Sequence, residues 1–240
     1  MMTLLRSGLF NLYFFALTFV LCLVGTGVRF IAPAHILVIP RFWARSLLAG
    51  ARVICGIRYT VTGLGFLPAD GPLLIASRHQ STFDTLVWLT LLPRCCYVLK
   101  QELTRIPLFG GMIRPAGQIV VDRAAGASAL RHLVRDAERA VRERRQIVIF
   151  PEGTRGAPGH PLPLQPGVAA VATRTRLPVI PVVTDSGLYW GRRAFRKRAG
   201  TIQINIQPPI LSSRGRESLM TGLAAAFAAG SASDVDNSVG

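Results

Sequence analysis

Lysine is nearly missing from this 240-residue chain: Lys100 and Lys197 are its two lysines, so its positive charge is almost entirely arginine. Acid is scarce too, with 12 aspartates and glutamates against 28 lysines and arginines, a formal charge of +16. That imbalance calls for an anionic partner: nucleic acid, an acidic membrane surface or an anionic substrate. Cysteine is limited to Cys22, Cys55, Cys95 and Cys96. None has metal-ligand spacing, and adjacent Cys95 and Cys96 make a poor disulfide pair. The expectation is therefore no metal, and a reducing compartment for the folded part. No internal repeat is present, and the length suits one domain with a full core.

Hydrophobic residues make up 50% of the chain, high for a soluble domain. Much of the excess lies at the N-terminus, where residues 7–28 carry no formal charge between Arg6 and Arg29. As a helix this run spans ~33 Å, about the hydrocarbon thickness of a bilayer. A cleaved signal peptide is the alternative, with Gly25-Thr26-Gly27 as cleavage site. The length of the run and the absence of a disulfide framework favour a retained transmembrane or membrane-anchoring helix over residues 1–30. Arg29, Arg41, Arg45, Arg52 and Arg58 follow it, which places the downstream domain on the cytoplasmic face of the inner membrane. Within residues 31–58, the stretch 31–48 mixes apolar residues with arginine and Trp43. It reads either as an amphipathic helix in the membrane interface or as a buried core helix. With an anchor upstream, membrane lipids are the expected partner and nucleic acid is not.

From residue 59 short apolar runs alternate with helical segments. Candidate strands are 59–62, 73–76, 96–99, 119–121, 147–150, 179–183 and 201–207. Several are continuous runs of Val and Ile, as in strands covered on both faces. Candidate helices are 82–92, 126–145 and 167–175. In the second, Leu130, Leu133, Val134, Ala137 and Val141 share a face. The alternation predicts an α/β domain over 59–212 whose mixed, largely parallel sheet is flanked by helices. Residues 213–240 are expected to form a C-terminal helix and, from Ser231, a disordered polar tail.

Two stretches carry chemistry. Arg78-His79-Gln80-Ser81-Thr82-Phe83-Asp84 follows the run at 73–76 and spaces a histidine and an aspartate five residues apart. A turn there folds the carboxylate back on the imidazole, fixes its tautomer and frees the other nitrogen as a general base. The bland alternative is a helix cap, with Ser81 or Thr82 at the N-cap and Asp84 near the helix dipole. Ser81 lacks the Gly-x-Ser-x-Gly elbow of a catalytic serine, so the expected nucleophile is a substrate hydroxyl. Phe150-Pro151-Glu152-Gly153-Thr154-Arg155 follows the run at 147–149. It reads as a plain strand and turn, or as a turn that fixes Glu152 and Arg155 where α/β sheets bind ligands. Arginine's planar fork suits a phosphate.

The two stretches, in this order and at this separation, resemble the blocks of the glycerolipid acyltransferase family. Two intermediate blocks match as well: Lys100-Gln101-Glu102-Leu103 with Pro107, Phe109 and Gly110, and Gly117-Gln118-Ile119-Val120-Val121-Asp122-Arg123. The apolar run from Leu177 to Val183 matches a final Pro-containing strand, so the resemblance covers about 59–183. It implies His79 as general base and Asp84 as its orienting partner. It implies Lys100, Arg123 and Arg155 as contacts to an acceptor phosphate, and Glu152, with Gly153 and Thr154, as the turn that positions the glycerol backbone. Asp122 is expected to be structural. Many members carry asparagine where this chain has Arg78. An arginine there implies either an added phosphate or carrier contact, or a different acceptor.

The resemblance implies transfer of a fatty acyl group from acyl-CoA or acyl carrier protein to lysophosphatidic acid, giving phosphatidic acid, with no cofactor beyond the acyl carrier. Acylation of another lysolipid, such as a lyso-ornithine lipid, is the nearest alternative. A thioesterase-like hydrolase and a non-catalytic membrane scaffold are more distant ones. The segment from Trp190 to Arg198 holds five cations. It is expected to dock on anionic headgroups, or to attract an acidic carrier protein or the phosphates of coenzyme A.

Overall fold

A computed structural model describes the backbone of residues 1–236. Among them, two helices lead into the domain: α1 (Met2–Ile31) and α2 (Val38–Cys55). Seven strands then form one sheet: β1 (Ile57–Thr62), β2 (Leu73–Ser77), β3 (Cys95–Lys100), β4 (Ile119–Val121), β5 (Gln146–Ile149), β6 (Val179–Thr184) and β7 (Gly200–Ile206). Between them lie α3 (Phe83–Leu91), α4 (Gly110–Ile113), α5 (Ala127–Arg142), α6 (Gly167–Thr175) and α7 (Ser186–Tyr189), and α8 (Arg216–Asp236) closes the chain. Helix α8 continues through Ser231, where the sequence suggested a polar tail; residues 237–240 lie outside those described.

The strand order is β1-β7-β6-β2-β5-β3-β4. All neighbours pair in parallel except β6 and β7, so the mixed, largely parallel sheet expected from the alternation is what forms. The continuous apolar runs have a plain cause. Leu73 and Ile75 of β2 point into one core with α2 and α3. Leu74 and Ala76 point into a second core with α5, α6 and α8. A strand clad on both faces has no polar position to alternate with.

Helix α2 has one face in the domain core: Ala44, Leu47, Leu48, Ala51 and Cys55 are buried at helical spacing. Gly56 ends it in the left-handed conformation, its N–H bonding back to the last turn. The opposite face exposes Val38, Phe42, Arg45, Arg52 and Val53. The core reading holds for the buried face; the other face is exposed and carries Arg45 and Arg52.

Helix α1 lies along the domain rather than projecting from it. Phe10 is fully buried and meets Trp190 edge to face at 5.1 Å. Tyr13 donates to the Ser46 carbonyl at 3.0 Å, and Trp43 Nε1 donates to Thr18 Oγ1 at 2.9 Å. Near its far end Gly25 packs against Met112 of α4. The side turned away from the domain is apolar and exposed, with Leu5, Leu12, Phe15 and Phe19. It is the one helix among the described residues long and apolar enough to cross a membrane.

Lys197 departs from expectation. The sequence placed it in a solvated or headgroup-facing cationic segment, yet it is 4% exposed. Its backbone N–H donates to Ser7 Oγ at 2.9 Å and its Nζ donates to Asn11 Oδ1 at 2.6 Å, both on α1. Nζ also reaches the Ala194 and Phe195 carbonyls and sits over the Phe10 and Trp190 rings. One of the two lysines is thus a tether that holds α1 to the connection between β6 and β7. Burial draws its pKa down from the ordinary lysine value.

Candidate active site

The C-terminal ends of β2, β3, β4 and β5 lie side by side along one edge of the sheet, and each delivers part of one block. Arg78 and His79 follow β2, Lys100 ends β3, Asp122 and Arg123 follow β4, and Phe150 to Arg155 follow β5. This is where open α/β sheets place their ligand crevices. The edge opens into a groove of about 980 Å³ lined by His79, Lys100, Arg123, Glu152, Gly153, Thr154 and Arg155. Every expected substrate-binding residue thus reaches one concavity, and Asp84 sits just behind it.

His79 Nδ1 lies 3.2 Å from Asp84 Oδ2. The same oxygen accepts the backbone N–H groups of Gln80 at 2.7 Å and Ser81 at 2.8 Å. The Asp84 side chain is 2% exposed and the His79 ring 13%. A carboxylate oxygen on Nδ1 makes that nitrogen the donor and leaves Nε2 unprotonated. Asp84 thereby braces the turn before α3 and faces the histidine, while Thr82 stands at the N-cap without a side-chain cap bond. Ser81 is no nucleophile: it is fully buried, and its hydroxyl accepts the Phe83 N–H at 3.1 Å.

Aromatic packing fixes the other side of the imidazole. The His79 ring stacks on Phe150 at 4.1 Å and 21°, and Phe150 stacks on Tyr97 at 6.0 Å and 11°. Tyr97 is anchored by its hydroxyl, which donates to the Thr85 carbonyl at 2.6 Å. Neither ring was singled out from the sequence. An aromatic immediately after a strand and before Pro-Glu-Gly is the only local sign of this role.

Glu152 faces inward. One oxygen accepts the His79 N–H at 2.8 Å and the other lies 3.7 Å from Arg78 Nε. Burial raises the pKa of this carboxyl, while the His79 N–H and the Arg78 charge oppose the rise. Arg78 corrects an expectation: at 2% exposed it is no phosphate or carrier contact. Gly153 takes φ +69°, and a Cβ there would strike the Arg123 guanidinium, which donates to the Gly153 carbonyl. The positive φ is what favours glycine at that turn, since the guanidinium is the far end of a flexible side chain. Asp122 accepts the Ala124 N–H at 3.0 Å, in keeping with a structural role.

Two cations from the segment expected to meet headgroups, Arg192 and Arg193, line the same groove. Arg192 donates to the Arg155 carbonyl at 3.4 Å. Burial, with the charges of Arg192 and Arg193, lowers the pKa of Arg155 from the usual arginine value, which leaves it a cation at neutral pH. The groove is also lined by apolar side chains, among them Leu99, Leu103, Leu130, Leu133 and Val168.

Residues 58–185 match the family model described as Acyltransferase. The chain belongs to the acyltransferase family. It is 35% identical to the 1-acyl-sn-glycerol-3-phosphate acyltransferase of Pseudomonas aeruginosa over 85% of this chain and 80% of that one. It is 29% identical to the human 1-acyl-sn-glycerol-3-phosphate acyltransferase alpha over 74% of this chain and 68% of that one. The crystal structure of the 1-acyl-sn-glycerophosphate acyltransferase from Thermotoga maritima superimposes with a TM-score of 0.71 at 20% identity. It covers 92% of this chain and 94% of its own. The last likeness concerns the fold; the sequence matches carry the family. The chain is an acyltransferase, as the ordered blocks implied.

Proposed function

We propose that this acyltransferase esterifies the free hydroxyl of lysophosphatidic acid with a fatty acyl group from acyl-CoA or acyl carrier protein, giving phosphatidic acid. One observation carries the reading: a histidine–aspartate pair opens onto a groove lined by both cationic and apolar side chains. His79 Nε2 takes the proton of the acceptor hydroxyl as its oxygen attacks the thioester carbonyl. The imidazolium, paired with Asp84, returns that proton to the departing thiolate. Lys100, Arg123 and Arg155 hold the acceptor phosphate and so aim the hydroxyl. Arg192 and Arg193 extend the cationic rim toward the phosphates of the acyl carrier. Glu152, Gly153 and Thr154 keep the turn in place rather than activate a substrate. The apolar lining takes an acyl chain.

The membrane completes the reading. The exposed apolar side of α1 enters the bilayer, and Arg45 and Arg52 of α2, with Arg58 beyond it, meet anionic headgroups at about 1 kcal/mol each. The arginines after the apolar helix set the domain on the cytoplasmic face of the inner membrane. Replacing exposed Phe15 and Phe19 together by glutamate is expected to weaken cosedimentation with anionic vesicles. Retained cosedimentation would remove α1 from the interface.

The phosphate assignment has its own test. Arg155→Ala is expected to raise KM for the phosphorylated acceptor about tenfold or more, the loss of one charge-assisted contact of about 1.5–3 kcal/mol. KM for the acyl donor should hold. A change confined to donor kinetics would move Arg155 to the carrier. A lysolipid panel run with both donor types, products identified by mass spectrometry, decides the acceptor.

A further inference from the structure

Arg78 is a large cation that the chemistry above does not use. It stands one residue past the end of β2, in the middle of the sheet, where its N–H donates to the Val182 carbonyl of β6 at 2.9 Å. Its side chain and that of Glu152 are each 2% exposed, with Nε 3.7 Å from the carboxylate. The two belong to different blocks, carried by neighbouring parallel strands. The Glu152 carboxylate bridges them: the oxygen not facing Arg78 accepts the N–H of His79 at 2.8 Å. A second strap runs the other way, from the Gly156 N–H to the His79 carbonyl at 2.8 Å. Both peptide groups flanking the His79 Cα are therefore held by the loop after β5.

A buried ion pair is a poor device for stability, because desolvating both charges offsets most of their attraction. What it supplies is geometry, since neither charge tolerates the loss of the other. The atom one bond from this pair is the backbone nitrogen of the general base. We propose that Arg78 is a positioning residue of the acyl transfer: its pairing with Glu152 locks the His79 backbone and thereby sets where the imidazole meets the acceptor hydroxyl. The inference rests on His79 acting as base, as proposed above, and it holds for any hydroxyl acceptor. It also gives Arg78 a task distinct from acceptor choice.

The test uses the full chain in detergent or nanodiscs, with the lysolipid that wild type acylates fastest as acceptor. Arg78→Met, Glu152→Gln, the double variant and Arg78→Lys are compared with wild type and His79→Ala. Each charge-breaking single variant removes one charge of the buried pair and keeps the other. Each is expected to lose kcat by about 10–100-fold, the cost of a misplacement of about 1 Å, with both KM values near wild type. The double variant keeps an amide oxygen to accept the His79 N–H and buries no charge. It is expected to recover at least part of the lost kcat, although it carries more substitutions. Arg78→Lys, which keeps the charge, should fall between. A wild-type kcat in Arg78→Met overturns the proposal. So does a double variant no faster than the worse single, or a loss lying wholly in KM for a phosphorylated acceptor. If Arg78→Met does not accumulate as folded protein, the order of Glu152→Gln, the double variant and Arg78→Lys decides in the same way. A wild type that prefers another lysolipid refutes the acceptor named above, and full activity of His79→Ala refutes the base; neither result resembles a lost rescue.

Discussion

The His79→Ala enzyme is expected to bind both substrates, keep its fold and lose nearly all acyl transfer. A positioned general base is worth about 10²–10⁴-fold, and here that group has no understudy. Ser81 is buried, with its hydroxyl engaged by the Phe83 N–H, and the Asp84 carboxylate lies behind the imidazole rather than in the groove. The fold survives because the imidazole contributes little to it. The ring makes one bond to Asp84 and one stack on Phe150, and such a stack is worth about 0.5–1.5 kcal/mol. After truncation Asp84 still accepts two backbone N–H groups at the start of α3. The measurement is kcat and KM for purified protein, with circular dichroism and a thermal melt in parallel. A His79→Ala variant within tenfold of wild-type kcat would end the mechanism. An acyl-enzyme trapped on wild type with donor alone would replace direct attack by a covalent route.

The blocks were legible because each is local. A strand, a turn and a helix start lie within a dozen residues of His79, and Glu152 sits in the turn directly after β5. The adjacency of these blocks followed from their sitting at strand ends, since a parallel sheet gathers its carboxyl ends on one edge. What the sequence did not show is which cations go inside. Arg78 and Lys197 look like every other basic residue in a chain with 28 of them. Buried Arg78 is met by Glu152 from the loop after another strand, and buried Lys197 by Asn11 from 186 residues away. Burial of a charge is decided by a partner, and partners at such separations leave no periodic trace. The same holds for Phe150 under His79 and for Arg192 and Arg193 in the groove. Helix α2 was ambiguous for a different reason: one of its faces belongs to the core and the other to the surface, and the sequence pattern is their sum.

Asp84 offers the sharper experiment, because two substitutions separate its two tasks. Asp84→Asn keeps an oxygen able to accept the Gln80 and Ser81 N–H groups, so the turn before α3 retains its brace. It removes the negative charge beside Nδ1 that favours the imidazolium formed when the acceptor proton is taken. The expected result is a fall in kcat of about 10²–10⁴-fold, comparable to losing the base, with a melting transition close to wild type. Asp84→Ala also removes the acceptor. Two buried N–H groups then lose their partner, at about 1–3 kcal/mol each. That variant should lose as much activity and melt clearly lower. If Asp84 only braced the turn, the two variants would part in activity: Asp84→Asn would keep most of it, and the damage in Asp84→Ala would follow its stability. Near-wild-type kcat in Asp84→Asn therefore removes the carboxylate from the mechanism and leaves His79 to act alone. A large loss at unchanged stability ties the charge to the reaction, since Asp84→Asn keeps the bonds to the Gln80 and Ser81 N–H groups that Asp84→Ala gives up.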